Sequence, residues 1–306
     1  MTGPGSVEPT DHSSAHRTHP SYWTDVGRQL FRNRSAILGL AVLGLLIAVA
    51  LAAPVLYRGD YRAARFLPGL ENGPKGLGSR YGIFGTDSLG RNVWHRAARG
   101  IGISLRLAII VSFATTLLGA AIGGLAGYFG GMVDAIVSRV IDMLSTIPSL
   151  LVGISAITFF GPSFWTVFAT LVATGWLSTA RLSRISVRSI RERDYVDAAR
   201  ASGAGSGRIL LRHILPNSLP AIIVAAAFSV SAAVLHESVY SFLGIGFIEP
   251  TPALGVMIRD ARNGFQTSPH LLVVPGAILI TLTIAVVLIS DGLRDALDPA
   301  SQVHDR

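Results

Sequence analysis

The feature that most restricts this chain is the uninterrupted apolar run from Ala36 to Leu56. About 20 such residues are what a helix needs to cross the hydrocarbon core of a bilayer. Five further runs, at about 102–127, 136–160, 163–181, 218–237 and 271–290, repeat the pattern. The reading is therefore an all-α, polytopic membrane protein with six transmembrane helices. Composition agrees: 50% of the residues are hydrophobic and 14% charged, and the mean hydropathy is +0.51, outside the usual balance of a soluble domain. Cysteine is absent, which removes disulfides, thiolate metal sites and cysteine nucleophiles together. Gly119, Gly123 and Gly127 recur at small-xxx-small spacing, so a helix there can approach a neighbour closely, most simply within this chain.

Residues 1–22 are polar and aperiodic and read as a disordered cytoplasmic tail. Residues 23–100 hold the first span and a long extracytoplasmic segment, 101–292 the remaining spans, and 293–306 a cytoplasmic C-terminal tail. Trp23, Arg28, Arg32 and Arg34 form a collar before the first span. Ala50 and Ala52 give an A-x-A pattern, but the apolar run is too long for the core of a cleavable signal. Arg181, Arg184, Arg188, Arg191, Arg193, Arg200, Arg208 and Arg212 crowd one connecting segment, which belongs inside by the positive-inside rule. The segment from Tyr57 to Gly100 carries eight basic residues of its own. The collar lies closer to a span than most of those, which places both termini in the cytoplasm.

The arginine-rich segment at about 191–217 has internal punctuation. Asp194 is placed to cap a short helix over Tyr195–Ser202, with Asp197 near the positive end of its dipole. Gly203 ends it, because glycine alone takes the left-handed terminal conformation without a Cβ clash. Ser206 then caps a second helix to about Leu215, after which Pro216 and Pro220 bend the chain into the next span. The result is a two-helix elbow. A helix this short is marginal alone in water, so it needs something to pack against, in this chain or another.

Chemistry of its own is not legible. Lys75 is the only lysine and no G-x-x-x-x-G-K-[ST] loop exists, so any ATP must be bound elsewhere. Asp87 lacks the neighbouring donors of a metal site, and His213, Arg212 and Asp194 read as solvated charge. The formal charge of +8 sits at the ends of apolar runs, where it orients helices rather than meeting nucleic acid. An integral membrane enzyme would need paired carboxylates, a His cluster or a Ser/Lys dyad at depth, and none is present.

Asp197-Ala198-Ala199, Gly203 six residues after Asp197, and Leu215-Pro216 beyond resemble the EAA loop of the membrane subunits of bacterial ABC importers. Asp197 stands where that family has Glu, and His213 where it has Ile. Phe84-Gly85-Thr86-Asp87-Ser88-Leu89-Gly90-Arg91-Asn92 is similar to the GTDxxGRD signature of dipeptide, oligopeptide and nickel permeases, with Asn92 for the usual Asp. Residues 237–246 resemble the LSFLGLG segment, and Ser290 to Pro299 the GDxLRDxLDP terminus. The long segment after the first helix and this terminus resemble the C-type of the two permease subunits.

The resemblance implies the type I ABC importer permease fold in a bacterial cytoplasmic membrane and, as function, import of short peptides. Partners implied are a B-type permease, two ATPase subunits that carry ATP and Mg, an extracytoplasmic binding protein and the lipid bilayer. It implies that Tyr195, Asp197, Ala198, Ala199, Gly203, Leu215 and Pro216 form the coupling loop, whose short helix docks on an ATPase. No cofactor, metal or catalytic residue is implied for this chain. Gly85, Thr86, Asp87, Gly90 and Arg91 form the extracytoplasmic motif, where Arg91, Trp94, Arg96 and Arg99 suit a helix at headgroup level. Arg106, Asp142 and Glu237, costly against lipid, are candidate buried polar or pathway residues. Pro148 and Pro275 are candidate kinks. A nickel or metal-chelate importer is the nearest alternative, and a passive channel or scaffold a distant one.

Overall fold

A computed structural model describes residues 22–56, 61–62, 74–78, 82–262 and 264–298. The tail 1–21, much of the segment after Leu56, and the terminus from Pro299 lie outside the described residues. The elements are α1 (Tyr22–Leu30), α2 (Arg34–Leu56), α3 (Val93–Phe129), α4 (Gly131–Ser145), α5 (Ser149–Phe160), α6 (Phe164–Arg191), α7 (Asp194–Ala201), α8 (Ser206–Ile209), α9 (Leu215–Phe242), α10 (Leu254–Ala261) and α11 (His270–Leu297).

α3 is the spine of the bundle, with α6 and α9 packed along it and α2 and α11 closing the other side. At 37 residues it is about 55 Å long at 1.5 Å per residue, well beyond a ~30 Å hydrocarbon core. Gly123 and Gly127 lie directly on the α6 backbone at Ala180 and Arg184, where any Cβ would collide. Their small-xxx-small spacing thus serves packing within this chain.

Among the described residues, four helical stretches are long and apolar enough to cross a membrane, and five if α4 and α5 count as one span. The fourth expected run became α6, which has the length but carries Thr, Ser, Gly and Arg; it packs against α3, α5 and α9. The run 136–160 is not one straight helix. It breaks at residues 146–148, where Pro148 precedes α5, and the halves are bent by 76°. Pro275, by contrast, lies within α11 without ending it.

Asn33 caps α2 through Oδ1, accepting from Ser35 N (3.0 Å), and donates Nδ2 to Asp295 at 3.1 Å. α1 lays Val26 and Leu30 against Leu293, Ala296 and Leu297 of α11 and Ile223 of α9, leaving Tyr22 and Trp23 exposed.

Candidate functional site: an elbow, an ion network and a hydroxyl-lined cavity

The elbow forms as its punctuation requires, with corrections in detail. Asp194 is the first residue of α7 rather than its cap; Arg193 holds that place and no side chain caps the helix. Gly203 adopts φ +80° with open space around its Cβ position, so its need for glycine is conformational, not steric. Ser206 begins α8 without capping it, since Gly205 is the cap. The larger correction concerns the prolines. Instead of a bend, one rod runs from Ser206 to Phe242. A π-turn over Leu210–Ile214 widens the backbone, with Leu215 N donating to Leu210 O. That opening relieves the carbonyl that the Pro216 ring would otherwise strike. Asn217 Nδ2 donates to His213 O at 2.6 Å.

The apolar side of the elbow is buried against its own chain. Val196, Ile209 and Ile214 pack with Tyr128 of α3 and Val187 of α6, Tyr128 Oη donates to Ser206 O at 3.1 Å, and Arg191 Nη1 donates to Tyr128 O at 2.9 Å. The opposite side is free: Tyr195, Asp197, Ala198, Gly203, Leu215 and Pro216 are exposed and Ala199 is half-buried. Asp197 pairs with Arg200 at 2.6 Å, with both groups in solvent, an arrangement worth ~0.2–1 kcal/mol.

At the other end of the bundle the signature around Asp87 forms a buried ion network. Gly85 and Gly90 turn with φ +72° and +73°, and a Cβ on Gly85 would strike Lys75 O. Asn92 caps α3, accepting from His95 N at 2.9 Å, so the amide replaces the carboxylate of the family pattern. Thr86 is buried, its Oγ1 accepting from Lys75 N (3.0 Å). Arg91 and Arg96 are enclosed by protein. They are 6% and 2% exposed and are held by Asp87 (2.6 and 2.8 Å) and Glu249 (2.5 Å each). Burial opposes the charge on Arg91, but the two carboxylates outweigh it and raise its pKa.

Glu249 also shares a hydrogen bond with Asp260 of α10. Burial would raise Glu249, yet the bonds from Asp260, Arg91 and Arg96 bring it down to about 2. Burial, the bond to Glu249 and the charge of Glu249 push Asp260 up to about 6. These residues line a cavity of about 330 Å³. Nothing near Asp87 in the sequence marks Glu249 and Asp260 as its companions.

The three candidate pathway residues separate. Glu237 is fully buried, accepting from Ser104 (2.7 Å), Ser241 (2.8 Å) and Ser238 (3.4 Å), and so ties α9 to α3. Asp142 is on α4, exposed, and pairs with Arg181 at 3.2 Å. Arg106 is exposed on α3, near the α2 contact at Gly102. None of them lines the cavity of about 480 Å³ among α3, α6 and α9, whose polar lining includes Thr115, Thr174, Ser178, Thr179, Ser229 and His236. Hydroxyls scattered on three helices carried too weak a sequence signal to identify it. Among the described residues no group of three or more His, Asp or Glu is placed to hold a metal.

A bundle of membrane-length helices with a two-helix elbow at one end and a cavity among α3, α6 and α9 defines a polytopic membrane protein. The sequence matches the family described as "Binding-protein-dependent transport system inner membrane component" over residues 119–303, and "N-terminal TM domain of oligopeptide transport permease C" over residues 21–68. It is 34% identical to the dipeptide transport system permease protein DppC of Alkalihalophilus pseudofirmus, covering 97% of this chain and 94% of that one. The DppC of Bacillus subtilis is 37% identical (94% and 88% covered), and the oligopeptide transport system permease protein OppC of Escherichia coli 34% (91% of each). A chain of the MetNI methionine ABC transporter, in an inward-facing conformation, shares the fold with a TM-score of 0.57 at 18% identity, covering 66% of this chain and 96% of that one. The chain belongs to the family of binding-protein-dependent transport system inner membrane components.

Proposed function

We propose that this chain is one of two membrane subunits of an ATP-driven importer of short peptides, with α7 as the element that docks on an ATPase subunit. The observation that carries the reading is the two-sided elbow. Its apolar face is used within the chain through Val196, Ile209 and Ile214, while Tyr195, Asp197 and Ala198 are presented to solvent on a rigid support. The elbow end then faces the cytoplasm, both termini with it, and the Asp87–Glu249 end meets the extracytoplasmic binding protein. A second, B-type permease completes a path of which the hydroxyl-lined cavity is this chain's share. Relatives named for dipeptide and oligopeptide transport support peptides as substrates. Hydroxyls and one imidazole suit loose recognition of peptide groups.

The test is affinity purification from gently solubilised native membranes, comparing wild type with Gly203→Val and Asp197→Lys. A second permease and P-loop ATPases should accompany the wild type. Gly203→Val should lose the ATPases while still inserting, because valine at φ +80° costs at least ~1–2 kcal/mol and distorts the elbow. Asp197→Lys places a cation in the first turns of α7 and should weaken ATPase recovery. Recovery of wild type without any P-loop partner would refute the importer reading.

A further inference from the structure

The cavity among α3, α6 and α9 is a long groove. On α9 it is lined from Val224 to His236, about 18 Å at 1.5 Å per residue, which is more than half of a ~30 Å hydrocarbon core. Ala225, Ser229, Ala232 and His236 are spaced by four, three and four residues and share one face of that helix. Thr174, Ser178 and Leu182, at intervals of four, line it from α6. His236 stands six residues before the end of α9, towards the Asp87–Glu249 network.

Among the described residues the lining holds no Asp, Glu, Lys or Arg. Glu237, the next residue, points the other way, onto Ser104, Ser238 and Ser241. Three of the lining hydroxyls have spent their proton within the protein. Thr115 Oγ1 donates to Ser112 O (3.0 Å), Thr174 Oγ1 to Thr170 O (3.0 Å) and Ser229 Oγ to Ala226 O (2.8 Å). What they offer the groove is lone pairs. Ser178 and Thr179 carry neutral hydroxyls that turn to either kind of partner. His236 differs from all of these. It is exposed, its ring has no hydrogen-bond partner among the described residues, and it is the one lining side chain with an N–H donor and the capacity for charge.

We propose that His236 determines specificity in this groove: its ring N–H donates to the C-terminal carboxylate of a short peptide, whose backbone N–H groups turn to the hydroxyl oxygens further along. The inference rests on the groove being this chain's share of the path, as proposed above. A carboxylate among apolar helices needs a donor, and a hydrogen bond to an ionised acceptor is about twice as strong as a neutral one. The ammonium end of a peptide finds no counter-charge in the groove, so the carboxylate is the end this chain holds.

The experiment uses the whole complex, with partner permease and ATPases. The chain has no cysteine, so Ser178→Cys, exposed in the groove, gives it a single thiol whose alkylation by N-ethylmaleimide is read as a mass shift of this chain. Millimolar trialanine should slow the alkylation. Trialanine amide should need about tenfold more for the same protection, the size of one hydrogen bond to a charged group. N-acetyl-trialanine, which keeps the carboxylate, should protect as trialanine does. Adding His236→Ala should bring the free acid down to the level of the amide, and His236→Gln, which retains an N–H donor, should recover part of the difference. His236 is exposed, so neither variant empties a core, and recovery of the partner subunits checks assembly.

Equal protection by acid and amide in the Ser178→Cys protein, or an unchanged preference after His236→Ala, would overturn the assignment and leave the groove as the path. Protection by none of the three peptides would refute the groove as a peptide path, and the assignment of His236 with it.

Discussion

The two ends of the bundle use arginine in opposite ways. At the end bearing the Asp87 motif, Arg91 and Arg96 are almost wholly enclosed, and each meets two carboxylates drawn from separate segments. At the elbow end, Arg181 and Arg188 are about half exposed, with one or two weak partners each. A buried guanidinium is held because losing a partner leaves an uncompensated charge. A solvated one exchanges partners at little cost. The contrast distinguishes an end where enclosed charges tie α3, α10 and the segment after α9 together from an end whose ion pairs stand in solvent.

That contrast can be broken by mutation. Arg96→Gln should have the largest effect: it leaves Asp87 and Glu249 short of a partner in a buried setting, and about 3–5 kcal/mol of stability should be lost. Folded yield and thermal unfolding in detergent would show it, and a loss under about 1 kcal/mol would mean the network is more solvated than its geometry implies. Arg181→Gln at the other end should cost under about 1 kcal/mol by the same measurement. A larger loss would erase the distinction between the ends.

A pH titration sharpens the picture of the enclosed end. Asp260 is raised to about 6, so the folded state holds its proton more tightly than the unfolded chain, and stability falls as pH rises from about 4 to about 6. Glu249 is lowered to about 2, and its contribution is lost as pH falls from about 4.5 towards 2. Asp260→Asn should therefore flatten the melting temperature between pH 4 and 6 while leaving the acid limb. An unchanged slope between pH 4 and 6 would assign it to another group.

Much of the elbow was legible before any coordinates. Gly203, the short polar helix before it, and the apolar run after it are signals a few residues long, and each formed where it was read. The capping residues were misplaced by one position each, because a carboxylate or hydroxyl near a helix start fits several register choices equally well. The prolines misled for a related reason: Pro216 and Pro220 do remove backbone donors, but a π-turn upstream absorbs the clash and the rod continues. The enclosure of Arg91 and Arg96 was not legible, because their partner Glu249 is 158 and 153 residues away.

By itself, the sequence determined the membrane class, most of the apolar helical runs and the place of the elbow, since hydrophobic run length, small-residue spacing and glycine's access to positive φ are all local properties. Tertiary structure decided which polar groups meet: Arg91 with Glu249, Glu237 with Ser104, Arg184 with Asp134. Such pairings join helices distant in sequence, and only their packing sets which side chains come within hydrogen-bond reach and which remain in water. The angle of the broken span belongs to the same category. Pro148 marks a place where a helix can break, but the 76° between the halves is set by how each packs on α6.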